Sequence, residues 1–148
     1  MTSAGISSAL GESAAATKDP RAFLTEAVRL LERERAHFNW VGIYLLEGDT
    51  LVLGPFVGKP TDHVRIPLGR GICGAAASAG KTVIVDDVNA DPRYLACSLE
   101  TRAEIVVPII RDGKVLGEID IDSDTPAAFT DDDRLLLEGV AEILAAKL

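Results

Sequence analysis

Residues 103–123, AEIVVPIIRDGKVLGEIDIDS, constrain this chain more than any other stretch, because two apolar, β-branched runs of strand length meet at Asp112-Gly113. Asp-Gly between strand-like runs signals a hairpin with a two-residue turn, since both positions tolerate the positive φ such a turn needs. The second run alternates over Gly117-Glu118-Ile119-Asp120-Ile121-Asp122. Successive side chains of a strand point to opposite faces, so Ile119 and Ile121 share one face and Asp120 and Asp122 share the other. Any fold of this chain has to cover one face of the hairpin with apolar side chains and accommodate two carboxylates on the opposite face.

Period two also governs NWVGIYLL and TLVLGPFVG, which are separated by Glu47-Gly48-Asp49 and read as a second antiparallel hairpin with Trp40 at its start. HVRIP and TVIVDDV read as shorter strands. Between them LGRGICGAAASAGK opens with glycines and continues with small helix formers, which predicts a glycine-rich turn entering a short helix whose first turn carries Cys73. The chain ends change to helical spacing. Asp19 as N-cap and Pro20 at the first helical position start a helix with Phe23, Leu24, Ala27, Val28 and Leu31 as its apolar stripe, continuing to Phe38. Thr130 caps the last helix, which has aspartates in its first turn and Leu137, Val140, Ala141, Leu144 and Leu148 as its stripe. Residues 1–17 are rich in Ala, Ser and Gly and read as an N-terminal arm, either loose or a weak helix that packing holds in place, ahead of a domain spanning 18–148. The predicted class is α+β, with the helices at the two ends covering one face of an antiparallel sheet and the other face left to form a pocket.

At 148 residues and 47% apolar, the chain is sized for one domain with one real core. Its 23 acidic against 15 basic residues give a net charge of −8, and the basic residues do not cluster beyond Arg33 and Arg35, which ranks nucleic acid and anionic membranes low as partners. The apolar runs are too short to cross a bilayer, and the N-terminus lacks the basic start and unbroken apolar stretch of a signal peptide, so a cytoplasmic location is expected. In that compartment Cys73 and Cys97 are unsuited to a structural disulfide, and their spacing excludes a CxxC pair or a zinc knuckle.

Cys97 lies in ADPRYLACSLETRAEIVVP, a turn-rich segment in which Glu104 follows seven residues later. A thiol outside any apolar periodic pattern is either a nucleophile or an inert loop residue. Cys73, among small residues, is either functional or a packing cysteine. Trp40 alone reads as core, and Asp120 with Asp122 alone as the wet face of a strand.

The succession NWVGIYLLEGDTLVLGPFVGKP, IPLGRGICGAA, DDVNADPRYLACSLETRAEIVVPI, GEIDIDS and FTDDD resembles a small stand-alone GAF domain. Within that superfamily it is similar to the free methionine-(R)-sulfoxide reductases, over about residues 20–148. The resemblance implies a GAF-like antiparallel sheet and a thiol-dependent oxidoreductase with no cofactor and no metal. It implies that Cys97 attacks the sulfoxide sulfur, becomes a sulfenic acid and releases methionine. The sulfenic acid then condenses with a second thiol, for which Cys73 is the other cysteine here, to a redox-active disulfide that thioredoxin reopens. Glu104, Asp120 and Asp122 would hold the ammonium of the free amino acid and supply a proton, and Trp40 would wall the S-methyl group. Packed carboxylates raise one another's pKa, which suits an acid catalyst but works against a thiolate at Cys97.

One departure bears on recycling. Many family members carry a third cysteine just after the GKP that ends the second strand, and this chain has Thr61-Asp62-His63 there. Resolution would then go through Cys73, through thioredoxin directly, or not at all. Family members are often dimers, so a homodimer is also expected. The alternative reading is a non-catalytic GAF sensor for a small amino-acid-like ligand. A cyclic-nucleotide site fits less well, since an acidic pocket repels phosphate.

Overall fold

The computed structural model describes residues 1–95 and 99–148. Among these, the α-helices and strands in chain order are α1 (Ser3–Ala16), α2 (Pro20–Glu34), β1 (Trp40–Glu47), β2 (Thr50–Val57), β3 (Arg65–Pro67), α3 (Gly71–Ala79), β4 (Val83–Val85), β5 (Ala103–Arg111), β6 (Lys114–Ser123) and α4 (Asp131–Lys147). The strands form one six-stranded sheet in the order β3-β2-β1-β6-β5-β4. Every neighbouring pair is antiparallel.

The β5–β6 hairpin turns where Asp-Gly predicts it. Arg111 pairs with Lys114, and the two residues between them, Asp112 and Gly113, have φ of 53° and 76°. These are the paired positive values of a turn whose twist matches the flanking strands. The pair β6–β1 then joins this hairpin to the first one, so the run GEIDIDS lies at the centre of the sheet.

Two apolar layers sandwich the sheet. On one side Ile119 and Ile121 of β6, Ile43 of β1 and Ile105 of β5 pack with Ile6 and Leu10 of α1, Phe23, Leu24 and Leu31 of α2, and Leu137, Val140 and Leu144 of α4. Each fully buried aliphatic side chain here contributes about 1.5–3 kcal/mol, so this layer carries most of the fold's stability. On the other side α3 brings Ile72, Cys73, Ala76 and Ala77 onto Tyr44, Leu51, Ile66, Val85 and Val106. The α3 layer is small because its residues are small, and this leaves room for polar groups beneath the helix.

The stretch expected as an arm contains a helix. Thr2 caps it by accepting from the Gly5 N–H, and Ile6 and Leu10 are fully buried against α2 and α4. Packing, the second of the two alternatives for this segment, holds it. Helix α2 begins as expected at Asp19 and Pro20 but stops at Glu34, short of the expected Phe38. Arg35 is extended (φ −132°, ψ 108°), and the chain turns so that Phe38 is buried beside Phe129 and His37 reaches Asp133, Nε2 to Oδ2 at 2.9 Å. Asp133 also closes the capping box of α4 with Thr130. No helix among the described residues is long and apolar enough to cross a membrane.

Candidate active site

Strand register assembles the site. On β6 the period of two sends Glu118, Asp120 and Asp122 to the α3 face, and each meets a different pair of neighbours. Asp122 stands between Trp40 of β1 and Glu104 of β5, Asp120 between Gly42 and Val106, and Glu118 between Tyr44 and Pro108. Glu104 and Asp122 are thus directly opposite one another, an arrangement of like groups that costs stability in a sheet.

The expectation that Asp120 and Asp122 alone would form a wet strand face does not hold. Glu104 is 5% exposed, Asp120 and Asp122 are 4%, and Glu118 is 0%. Helix α3 and the flanking loops cover them. Glu104 hydrogen-bonds to both Asp120 and Asp122. Carboxylate oxygens bond to one another only through a proton, so these contacts form only while one of the three acids is protonated. The outer oxygens are left over: among the described residues, Oδ1 of Asp120 and Oδ1 of Asp122 have no hydrogen-bond partner, and both oxygens of Glu118 lack a nitrogen or oxygen donor. Burial, reinforced by the charge of Asp120, pushes Asp122 and Glu118 well above the usual carboxylate range. Burial also raises Asp120, with Glu104 pulling it back by hydrogen bonding.

Glu118 was not among the residues singled out from the sequence. The same alternation that marks Asp120 and Asp122 points to it, two residues upstream on the same face.

Cys73 comes down on this row from the third position of α3, 5% exposed. Its Sγ lies 4.0 Å from Oε2 of Glu104, the outer limit for a thiol donor. Burial is the main cause holding the thiol well above its ordinary pKa, and the charges of Asp120, Glu118 and Glu104 add to it. Cys73 is therefore a protonated thiol in this state. Cys97 lies outside the described residues, and so does its separation from Cys73.

The chain on either side of residues 96–98 is tied down. Arg93 grips Asp91 with two hydrogen bonds, Nε to Oδ1 at 3.0 Å and Nη2 to Oδ2 at 2.7 Å. Arg102 donates to the Leu99 carbonyl at 2.8 Å, and its own N–H bonds to the Ser123 carbonyl.

Trp40 sits at the edge of the row. Its Nε1 donates to the Lys59 carbonyl at 2.9 Å, and its ring stacks on Phe56 with centroids 5.7 Å apart. Two glycines make room for the indole. A Cβ on Gly42 would overlap the ring, and one on Gly58, which has φ of 131°, would lie 2.6 Å from Cδ1. The indole therefore has one seat, facing a cleft of about 70 Å³ lined by Trp40, Lys59, Thr61, Glu100, Thr101 and Asp122. On the far side of the row a smaller cavity, about 20 Å³, is lined by Tyr44, His63, Cys73, Leu95, Glu104 and Asp120. His63 is half-buried, and its carbonyl accepts the Tyr44 hydroxyl at 2.7 Å. The residue in the expected third-cysteine region thus borders the same cavity as Cys73.

The arrangement combines an aromatic wall, a buried proton-bearing acid row and a protonated thiol. It suits a small cationic or zwitterionic molecule with an apolar end, since buried unpaired carboxyl oxygens require a cationic or hydrogen-donating partner.

Comparison with known proteins agrees with the architecture. The GAF domain family profile matches residues 19–148. The chain is 40% identical over 124 residues to the free methionine-R-sulfoxide reductase of Escherichia coli, covering 84% of this chain and 73% of the relative. It superposes with a TM-score of 0.91, at 40% identity, on a free methionine-R-sulfoxide reductase from Neisseria meningitidis in complex with its substrate, covering 96% of this chain and 85% of that one. A type II free methionine-R-sulfoxide reductase from Thermoplasma acidophilum gives a TM-score of 0.84 at 41% identity, covering 93% and 94% of the two chains.

Proposed function

Since the chain belongs to the GAF domain family, we propose that it is an oxidoreductase that reduces free methionine-(R)-sulfoxide to methionine. The observation that carries this reading is the buried row Glu104, Asp120 and Asp122, in which Oδ1 of each aspartate has no hydrogen-bond partner among the described residues, beside Trp40 on one side and Cys73 on the other. Relatives with that activity in their names, one of them with substrate bound, support it.

The substrate's ammonium pairs with the acid row, and the S-methyl group rests against the indole. A peptide-bound methionine sulfoxide has an amide in place of the ammonium, and it leaves the buried carboxyls unpaired. A site built around such a group rejects the analogue lacking it by up to roughly 10⁴–10⁵-fold. Cys97 is the proposed nucleophile. Its sulfur attacks the sulfoxide sulfur, the sulfoxide oxygen is protonated by the acid row and ends on the cysteine sulfur, and methionine leaves with its sulfur reduced by two electrons. The Cys97 sulfenic acid then condenses with a thiol and expels water.

Cys73 is one candidate for that second thiol, and a reduced thioredoxin acting directly is the other. Attack by Cys73 needs its proton removed, and Glu104 lies within reach to accept it. A Cys97–Cys73 disulfide is returned to two thiols by thioredoxin's dithiol, whereas a mixed Cys97–thioredoxin disulfide is opened by thioredoxin's second thiol, which frees the Cys97 thiol and leaves thioredoxin oxidised.

The test is to count methionine released per protein from free methionine-(R)-sulfoxide, with and without thioredoxin and its reductase. One equivalent without reductant and many with it are expected, with no turnover of the N-acetylated substrate. Absence of methionine even in the first turnover would overturn the enzyme reading and leave a ligand-binding module. Cys97→Ser should abolish release. Cys73→Ser should keep the first equivalent, and loss of multiple turnover in that variant would assign resolution to Cys73.

A further inference from the structure

The acid row accounts for an ammonium, but an ammonium has no use for sulfur, and the small cavity places a thiol among the carboxyls. Cys73 Sγ and one oxygen each of Glu104 and Asp120 all lie within 4.8 Å of one another, and all three residues are buried. The cavity they line, about 20 Å³, has room for a single water-sized sphere. Among the described residues, Oδ1 of Asp120, on a residue 4% exposed, has no hydrogen-bond partner, and neither oxygen of the adjacent, fully buried Glu118 has a nitrogen or oxygen donor. These orphaned oxygens point to an occupant that carries positive charge and fits the volume of one water.

We infer that this cavity binds one thiophilic divalent cation of the zinc class, with Cys73, Glu104 and Asp120 as its protein ligands. Zinc takes sulfur at about 2.3 Å and carboxylate oxygen at about 2.0–2.2 Å, so the ligand atoms close on the ion by roughly an ångström from their present spacing. Three protein ligands leave the fourth tetrahedral position to water, in a cavity that His63 also lines. Magnesium and calcium are excluded by chemistry, since they demand six or more oxygen ligands and do not favour sulfur.

Binding replaces the thiol proton by the metal. Cys73–SH and M²⁺ give Cys73–S–M⁺ and a proton released to solvent, with no change in oxidation state. Affinity therefore rises with pH. An ion here occupies two of the carboxyls assigned to the substrate ammonium and masks the Cys73 thiol. Reductase activity is then reversibly silenced by zinc and restored by a chelator. The binding site itself does not depend on the reductase reading.

The experiment uses the full chain, reduced and freed of metal, titrated anaerobically with Co²⁺ as spectroscopic probe and with Zn²⁺ against a chromophoric chelator. One equivalent of Co²⁺ giving a near-ultraviolet thiolate-to-metal band is expected. The band should persist in Cys97→Ser and vanish in Cys73→Ser, and Asp120→Asn should weaken zinc binding at least tenfold. A band that vanishes in Cys97→Ser and stays in Cys73→Ser overturns the assignment, as does absence of any thiolate band. Zinc affinity indifferent to Asp120→Asn overturns it too, even where Cys73→Ser fails to fold. Methionine release measured in excess chelator tests the reductase reading separately, so the failure of one is distinguishable from the failure of the other.

Discussion

Replacing Glu118 by Gln should stabilise the protein, and by an amount that grows with pH. Glu118 is 0% exposed, and neither of its oxygens has a nitrogen or oxygen donor among the described residues. It stands between Tyr44 and Pro108 on the central strand. Burial, and then the charge of Asp120, push its carboxyl well above the ordinary value of 4.5, with hydrogen bonding from the Cys73 thiol pulling the other way. A carboxyl with a raised native pKa keeps its proton in the folded state at pH values where the unfolded chain has lost it. The folded state then binds more protons, so its stability is intact below about pH 4.5 and is lost as pH rises through the native pKa.

Gln has the same shape and never ionises, so it escapes this loss. The expected gain is the free energy that holding the Glu118 proton in the folded state costs where the unfolded chain has lost it, on the order of 1–3 kcal/mol near neutral pH. For a chain of this size that corresponds to roughly 2–12 °C in Tm. Thermal melts of both proteins between about pH 5 and pH 8 measure it, the gap being smallest at the acid end. A gap that does not change with pH, or a variant less stable than the parent at pH 8, would refute the reasoning. It would show that Glu118 is ionised and paired in the folded protein.

Three further substitutions follow from the same geometry. Glu104→Gln should raise KM for free methionine-(R)-sulfoxide more than it lowers kcat, since Glu104 bonds both aspartates and sets their charge; steady-state kinetics decide it. Gly58→Ala puts a Cβ 2.6 Å from the Trp40 ring at a φ of 131°, so a loss of about 1–3 kcal/mol in urea unfolding is expected together with a raised KM as the indole is displaced. Thr130→Ala opens the capping box of α4 and should cost about 1 kcal/mol of stability while leaving methionine release unchanged.

Local chemistry made much of this fold legible. The Asp112-Gly113 turn, the Asp19-Pro20 helix start and the Thr130 cap each stand where their residues predict, because each is set by contacts within a few positions of sequence. The end of α2 was not legible. Arg35 leaves the helix so that Phe38 and His37 can pack on Phe129 and Asp133, partners more than 90 residues away. Period two told which side of β6 each residue takes, but it carries no information on what lies above that side. Covering the acid row required the small residues of α3, and that is why Asp120 and Asp122 read alone as solvent-facing. The pairing of Asp122 with Glu104 and Trp40 depends on register across three strands and is invisible to a single strand's pattern.

The acid row is a poor way to stabilise a sheet, and this bears on what the site is for. Opposed carboxyls, desolvated and bridged by hydrogen bonds that need a proton, cost stability that the large apolar layer beneath α1, α2 and α4 offsets. A binding module for an amino acid needs only an ionised row to hold an ammonium. A row that retains protons well above the usual carboxylate range suits a reaction that consumes them, and sulfoxide reduction takes up two protons with its two electrons as the oxygen leaves as water. An arriving ammonium favours the ionised form of the row and loosens its protons at the moment the sulfoxide oxygen needs one. On the proposed reading, the buried acids couple recognition of the free amino acid to the protonation step, with the groups assigned to hold the substrate also assigned to supply its proton.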